Sequence, residues 1–234
     1  MGQALQEQKM TGRTEVLFCW SGGKDSAMAL NVLRQQRDLR VAALLTTVTE
    51  GYERISMHGV RRTLLQRQAE ATGLPLYEVR IPPQCVNPVY EARMREALLS
   101  QKENGVHCVA FGDIFLQDLR EYRERNLAQV EMKAIFPIWK RDTRELTQEF
   151  CAMGFRAIAV CIDSTKLSRE FAGRELDESF FRDLPAGVDP CGENGEFHTF
   201  VYDGPIFSIA IAVERGEVVE RDRFYFCDLK EKLQ

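Results

Sequence analysis

The chain has little of what marks several large classes of protein. Nowhere do apolar residues run for the roughly 18 positions that a membrane-spanning helix requires. Its 7 cysteines stand apart without a C-x-x-C pair, which argues against a structural zinc site and a disulfide framework. That scatter fits buried free thiols in a reducing, cytoplasmic setting. A basic surface is missing too. Lys and Arg number 31 against 35 Asp and Glu, a formal net charge of −4, so wholesale nucleic-acid binding is not expected. The first 13 residues are rich in glutamine and lack an apolar core, and they read as a frayed lead rather than a signal peptide. There is no internal repeat and no low-complexity linker. At 234 residues the chain can bury a large core in one or two domains.

Two familiar phosphate-binding fingerprints are absent as well. G-x-G-x-x-G occurs nowhere. The Walker A pattern fails at Phe18, where its first glycine belongs, and at Asp25, which follows the lysine in place of Ser or Thr. What is present is an apolar run, Val16-Leu17-Phe18-Cys19-Trp20, then Ser21-Gly22-Gly23-Lys24-Asp25-Ser26, then a helical pattern. A strand, a small-residue turn and a helix start in that order leave backbone N–H groups free where the helix dipole favours an anion. Gly22 and Gly23 let the main chain approach a phosphate, and Ser21 and Ser26 add hydroxyl donors. Lys24 brings a mobile positive charge, and Asp25 is a candidate for a metal ion or a bound water. The plain alternative is a turn that leaves a strand and caps a helix. The context favours a pyrophosphate ligand.

Beyond the turn, strand and helix patterns alternate. Positions 27–36 read as a helix, 41–49 as a strand covered on both sides, 60–72 as a helix, 76–81 as a strand, 88–103 as a helix and 106–111 as a strand. This implies an α/β fold, a parallel sheet wrapped by helices, with ligands beyond the carboxyl ends of the strands. A smaller α+β region follows. Asp142-Thr143-Arg144-Glu145 is a capping box that starts a helix to Gly154, and 155–162 is a strand. Positions 175–184 suggest a helix, 185–199 a Gly- and Pro-containing segment, and 205–213 and 218–226 a hairpin turning at Arg215-Gly216. The cleft between the two regions is the natural place for an acceptor substrate.

Other candidate residues gather near the strand ends. Gly112 frees the backbone beside Asp113, which either contacts Mg²⁺ or ribose or caps a turn. His58 follows the second strand, near a base or ribose, or else shapes a surface turn. Glu193, Glu196 and His198 fall within six residues, beside Gly192, Asn194 and Gly195. His198 is a candidate general base for an incoming amine, and the glutamates are candidates to orient it or hold Mg²⁺. Cys191 is a nucleophile or, more simply, a small packed side chain. Lys140, Arg141, Arg144, Arg61 and Arg62 read as exposed-face charges, and 121–125 as a solvated helix face.

The six-residue turn resembles the PP-loop of the ATP pyrophosphatase superfamily, whose members split ATP between its α and β phosphates. Four more stretches narrow the likeness: Met57-His58-Gly59-Val60, Gly112-Asp113-Ile114, Pro137-Ile138-Trp139 and the run from Asp189-Pro190-Cys191 through Gly195-Glu196-Phe197-His198-Thr199-Phe200. With them, residues 15 to about 207 resemble the diphthine–ammonia ligase family. Phe197 stands where that family often has Tyr. The resemblance implies an adenine nucleotide alpha hydrolase-like fold of the HUP type, with an ATP-binding domain over 14–134 and an acceptor-substrate domain over 135–234. It also implies an AMP-forming ligase that adenylates a carboxylate and transfers ammonia to it. Lys24, Asp25, Glu196 and His198 are then catalytic. Ser21, Gly22, Gly23, Lys24, Asp25, Ser26, His58, Gly112 and Asp113 hold ATP, with Mg²⁺ on Asp25 and Asp113. Cys191, Gly192, Glu193, Asn194, Gly195 and Glu196 meet the acceptor. The implied partners are ATP, ammonia and a protein acceptor, the diphthine of elongation factor two, with no membrane; a homodimer is compatible with the chain. Two other classes share the loop: enzymes that modify RNA or a small metabolite, and non-catalytic adenine-nucleotide sensors.

Overall fold

Val16, Leu17 and Phe18 carry apolar side chains to both faces of a strand, so that strand has to be covered on both sides. The computed structural model describes residues 12–55 and 59–232 and sets this strand inside a mostly parallel sheet. Its strands are β1 (Thr14–Cys19), β2 (Leu39–Thr49), β3 (Arg54–Ile55), β4 (Leu76–Ile81), β5 (Cys108–Ala110) and β6 (Lys133–Ile135). Parallel pairing gives the order β4-β2-β1-β5-β6. The short β3 is antiparallel to the end of β2, on the edge that β1 vacates when it turns into the loop.

Helices α1 (Lys24–Gln35) and α2 (Arg62–Thr72) pack on one face through Leu30, Leu33, Leu64 and Leu65. Helices α3 (Asn87–Glu103) and α4 (Gln117–Ala128) cover the other through Leu98 and Leu127, against Leu17, Leu45 and Val109. This is the helix-wrapped α/β architecture that the alternating pattern implied. Gly73 ends α2 with a left-handed φ of +71°, a common helix stop.

The remainder forms α5 (Thr143–Ala152), β7 (Arg156–Asp163), α6 (Glu178–Arg182), β8 (Phe197–Asp203), β9 (Val213–Arg221) and β10 (Phe224–Glu231). Its four strands make a separate antiparallel sheet ordered β8-β7-β10-β9. The two sheets share one core, because Phe150, Ile158 and Phe200 join the cluster containing Phe18 and Leu30. Ion pairs tie them further: Arg61 and Arg54 lie 2.7 and 3.0 Å from Asp228 of β10. Among the described residues no helix is long and apolar enough to cross a membrane.

Three local expectations are corrected. The hairpin turns at Asp222, with φ +53°, and not at Arg215-Gly216. Gly216 lies within β9, where Gly216 and Glu217 face Asp228 alone, so this glycine marks a β-bulge. The stretch 205–213 is irregular up to Ala212, because Pro205 lacks a donor and Ser208 N bonds Ala71 O of α2 at 2.7 Å. The helix expected over 175–184 shrinks to α6, because Glu175 is drawn into a bridge with Ile158 and Asp177 caps the later start at Phe180 N.

Asp142 caps α5 as its sequence implied, its Oδ1 accepting from the amides of Arg144 (2.9 Å) and Glu145 (3.0 Å). Replacing Asp142 by Ala is expected to cost about 1 kcal/mol and to lower the melting temperature by about 2–4 °C. Asp142→Ser restores most of it, and thermal denaturation by circular dichroism measures both.

Candidate functional site

Strand order reverses at β1, which has β2 on one side and β5 on the other. Sheets of this kind receive ligands beyond the carboxyl ends at that reversal. Residues 21–26 leave β1 there, and Gly112-Asp113 leave β5 beside them. Helix α1 begins at Lys24, three residues earlier than its apolar stripe implied, so Lys24, Asp25 and Ser26 form its first turn.

The loop is held by strands and helices from both halves of the chain. Gly22 takes a left-handed φ of +80°, and a Cβ there would lie 2.6 Å from Gln68 Oε1. Its carbonyl accepts from Val201 N of β8 at 2.9 Å and from Gln68 Nε2 at 2.9 Å. Gln68 is fully buried. Its Nε2 also donates to Val201 O (2.6 Å), and its Oε1 accepts from Trp20 Nε1 (3.0 Å). Thr199 Oγ1 accepts from Lys24 N at 2.9 Å, and the hydroxyls of Ser21 and Ser26 meet at 2.7 Å.

The amides of Gly22, Asp25 and Ser26 are left without a protein acceptor among the described residues. Gly112 keeps that helix start open, since a Cβ on it would lie 3.0 Å from Ser26 N. Free amides at the positive end of α1 are what an anion needs, and such a site contributes about 0.3–2 kcal/mol from the dipole alone.

Lys24, only 3% exposed, donates to both carboxylate oxygens of Asp25 at 2.9 Å and to the carbonyl of Cys191. Burial works against its charge, but the fields of Asp25 and Glu193 outweigh it and raise its pKa, so it stays protonated. Burial also lifts the Asp25 pKa above the usual carboxylate range, against the opposing pull of Lys24.

The segment 189–199 closes the cleft from above. Asp189 Oδ1 accepts from Cys191 N (2.9 Å) and Glu193 N (3.2 Å), and its Oδ2 accepts from Thr143 Oγ1 (2.8 Å). Glu196, 3% exposed, accepts from Asp189 N (3.1 Å) and Asn194 N (3.0 Å), so this carboxylate braces its own loop. Cys191 is buried, its Sγ 3.5 Å from Thr143 O, and burial pushes its pKa far up, which keeps the thiol neutral. Glu193 Oε1 accepts from Ile114 N at 2.8 Å across the cleft, and burial raises its pKa to about 7. His198 lies on β8, not in the preceding loop, and burial with Lys24 nearby lowers its pKa to about 4. Strand β8 escaped the sequence reading because the glycines of 192–195 run straight into it.

Asp113 faces Arg123 of α4. Arg123 Nε lies 2.6 Å from Asp113 Oδ2, and Arg123 Nη2 donates to Oδ1 at 3.1 Å. The expected solvated face over 121–125 is therefore interrupted at Arg123, which turns inward.

These groups surround a cleft of about 370 Å³. Ser21, Gly23, Lys24, Asp25 and Ser26 line its floor, with Gly112 and Asp113 to one side. Glu193, His198 and Thr199 line the opposite wall with Gly192 and Gly195. Gly22, Cys191, Asn194 and Glu196 lie behind this lining and shape it. His58 lies outside the described residues. Sequence reasoning missed Gln68, Thr199 as a loop anchor, Asp189 and Arg123. Only Asp189, before a proline, carried a local turn signal.

Two outcomes follow from this geometry. Gln68→Leu strands the Trp20 N–H and is expected to lower unfolding free energy by about 1–3 kcal/mol in urea titrations. Glu193 retains in the folded state a proton that the unfolded chain releases above its ordinary pKa of 4.5, so its contribution to stability falls as pH rises towards about 7. Glu193→Gln therefore melts nearer to the parent at pH 5 and above it at pH 8, as scanning calorimetry at the two pH values can read.

The family model for the diphthamide synthase N-terminal domain matches residues 12–134, and that for the diphthamide synthase C-terminal domain matches 142–233. The chain is similar to the diphthine–ammonia ligase of Schizosaccharomyces pombe, 27% identical over 236 residues, covering 93% of this chain and 39% of that protein. It is also similar to that of Bos taurus, 32% identical over 167 residues, covering 64% of this chain and 62% of the relative. With the Danio rerio protein the identity is 30% over 167 residues, covering 64% and 65%. The matched regions thus span from about two fifths to just under two thirds of these relatives. One family model alone covers more than half of the chain, and the chain belongs to the diphthamide synthase family.

Proposed function

We propose that the chain is an ATP-dependent, AMP-forming amide ligase that acts on diphthine of elongation factor two with ammonia as the nitrogen donor. The observation that carries this reading is the uncovered start of α1: three amides without acceptors, beside Lys24, at the point where the sheet order reverses. The β and γ phosphates of ATP fit there, with Ser21 and Ser26 as further donors. Lys24 then exchanges Asp25 and the Cys191 carbonyl for phosphate oxygens.

An acceptor carboxylate oxygen attacks the α-phosphorus, the bond to the bridging oxygen breaks, and its electron pair leaves with pyrophosphate. Lys24 and the loop amides stabilise that leaving charge electrostatically. Ammonia next attacks the acyl carbon, AMP departs with the C–O electron pair, and a proton leaves the new nitrogen. His198, held neutral by burial and the nearby Lys24, is the proton acceptor, and phosphates beside it raise its pKa towards a working value. Glu196 keeps the loop that carries Glu193 in place.

Mg²⁺ fits as a companion of the triphosphate and not as a resident ion. Among the described residues no group of three or more His, Cys, Asp or Glu is gathered to hold a metal. Mg²⁺ bound mainly by phosphates and water asks for only one or two carboxylates. Asp25, released by Lys24, is the carboxylate that would serve, and the ion would neutralise phosphate charge; Asp113, the other expected ligand, is engaged by Arg123. A reducing cytoplasm suits the 7 free thiols.

With α-labelled ATP, ammonia and the diphthine-bearing acceptor, the expected products are AMP and pyrophosphate in step with amide. Lys24→Met is expected to slow AMP formation by about 10²–10³-fold. ADP as the labelled product overturns the ligase reading.

A further inference from the structure

Arg123 is a half-buried cation that no part of the phosphate loop uses. Its guanidinium carbon lies 4.3 Å from the centroid of the Phe111 ring, its Nη2 donates to Asp113 Oδ1, and its Nε lies in ion-pair contact with Asp113 Oδ2 without a hydrogen bond between them. The ring contact and the ion pair together restrict the fork, while Nη1 has no hydrogen-bond partner among the described residues. Burial opposes the charge, and Asp113 more than offsets that, raising the Arg123 pKa. Apolar Tyr90, Met94 and Leu119 stand around it in the same cleft.

Among the described residues that line the cleft, Lys24 and Arg123 are the only lysine and arginine. They serve different ends of it. Lys24 sits at the start of α1, whereas Arg123 is held on the β5 side, past Gly112, which abuts Asp25 and Ser26. An amide-forming ligation brings two anions into one cleft, the phosphates and the acceptor carboxylate. The helix start and Lys24 meet the first, which leaves the second for Arg123.

We propose that Arg123 binds the acceptor carboxylate through its Nη1 edge, and that Asp113 is the positioning residue that fixes the guanidinium plane. A planar guanidinium suits a carboxylate better than an ammonium does. One open edge holds one carboxylate oxygen and leaves the other to attack. This inference rests on the ligase reading. It gives Asp113 a role other than metal ligation.

The test compares binding of the diphthine-bearing acceptor with its methyl ester, in the full chain and in Arg123→Met, Arg123→Lys and Asp113→Asn. The expected result is that the parent prefers the free acid by roughly 10- to 100-fold. Arg123→Met loses that preference and keeps its affinity for ATP, and Arg123→Lys recovers part of the preference. Asp113→Asn raises the acceptor KM with little change in kcat, and Asp113→Glu rescues it in part. Equal binding of acid and ester by the parent overturns the inference. So does an intact preference in Arg123→Met, or a loss that falls on ATP affinity alone. If Arg123→Met does not fold, the parent comparison and Arg123→Lys decide. ADP formation by the parent would instead remove the ligase reading, while the acid-over-ester preference would still read the carboxylate site.

Discussion

The docking of β8 on the loop after β1 is the contact that the site depends on. A glycine turn with a left-handed residue is not rigid by itself, because glycine loses more conformational freedom on ordering than any other residue. Here the Gly22 carbonyl is held from two directions, by Val201 N and Gln68 Nε2, and the Lys24 amide is held by the Thr199 hydroxyl. The amides that remain uncovered are therefore aimed before any ligand arrives, which is the condition for electrostatic stabilisation without reorganisation. Strand β8 and the segment before it also supply the opposite wall, so one strand both shapes the floor and carries the roof.

Charge in the cleft is organised as pairs. Buried Lys24 pairs with Asp25, and half-buried Arg123 pairs with Asp113. A buried charge without a partner is costly, and a pair lets the cation stay ionised where solvent is scarce. Glu193, held near neutrality in its pKa, and His198, held neutral, add groups whose protonation responds to any charge that enters. Such displaced values are common where proton transfer occurs.

Legibility followed the range of the interaction. The loop at 21–26 was readable because its chemistry and its strand-to-helix context lie within a dozen residues. The α5 cap was readable for the same reason. Thr199 was not, because its bond to Lys24 spans 175 positions. Arg123 lies between Arg120 and Arg125 on one helix, and only the Phe111 ring and the Asp113 carboxylate draw it into the cleft. The hairpin was misplaced because Gly216 is a stronger turn signal than Asp222, yet the glycine served a bulge. Spacing offers Glu196 as a group to orient His198 or hold Mg²⁺, and folding turns it onto the amides of Asp189 and Asn194.

The Thr199 hydroxyl on the Lys24 amide has a further bearing. The nucleotide loop is not a property of the first half of the chain, because two of its backbone groups are completed by residues near position 200. Transplanting the leading segment alone, or exchanging the trailing sheet for another, would carry the six signature residues along and lose their shape. Drift at 199 is felt at 24, and a shift of the β8 backbone at 201 is felt at 22, so the halves are bound to change in concert.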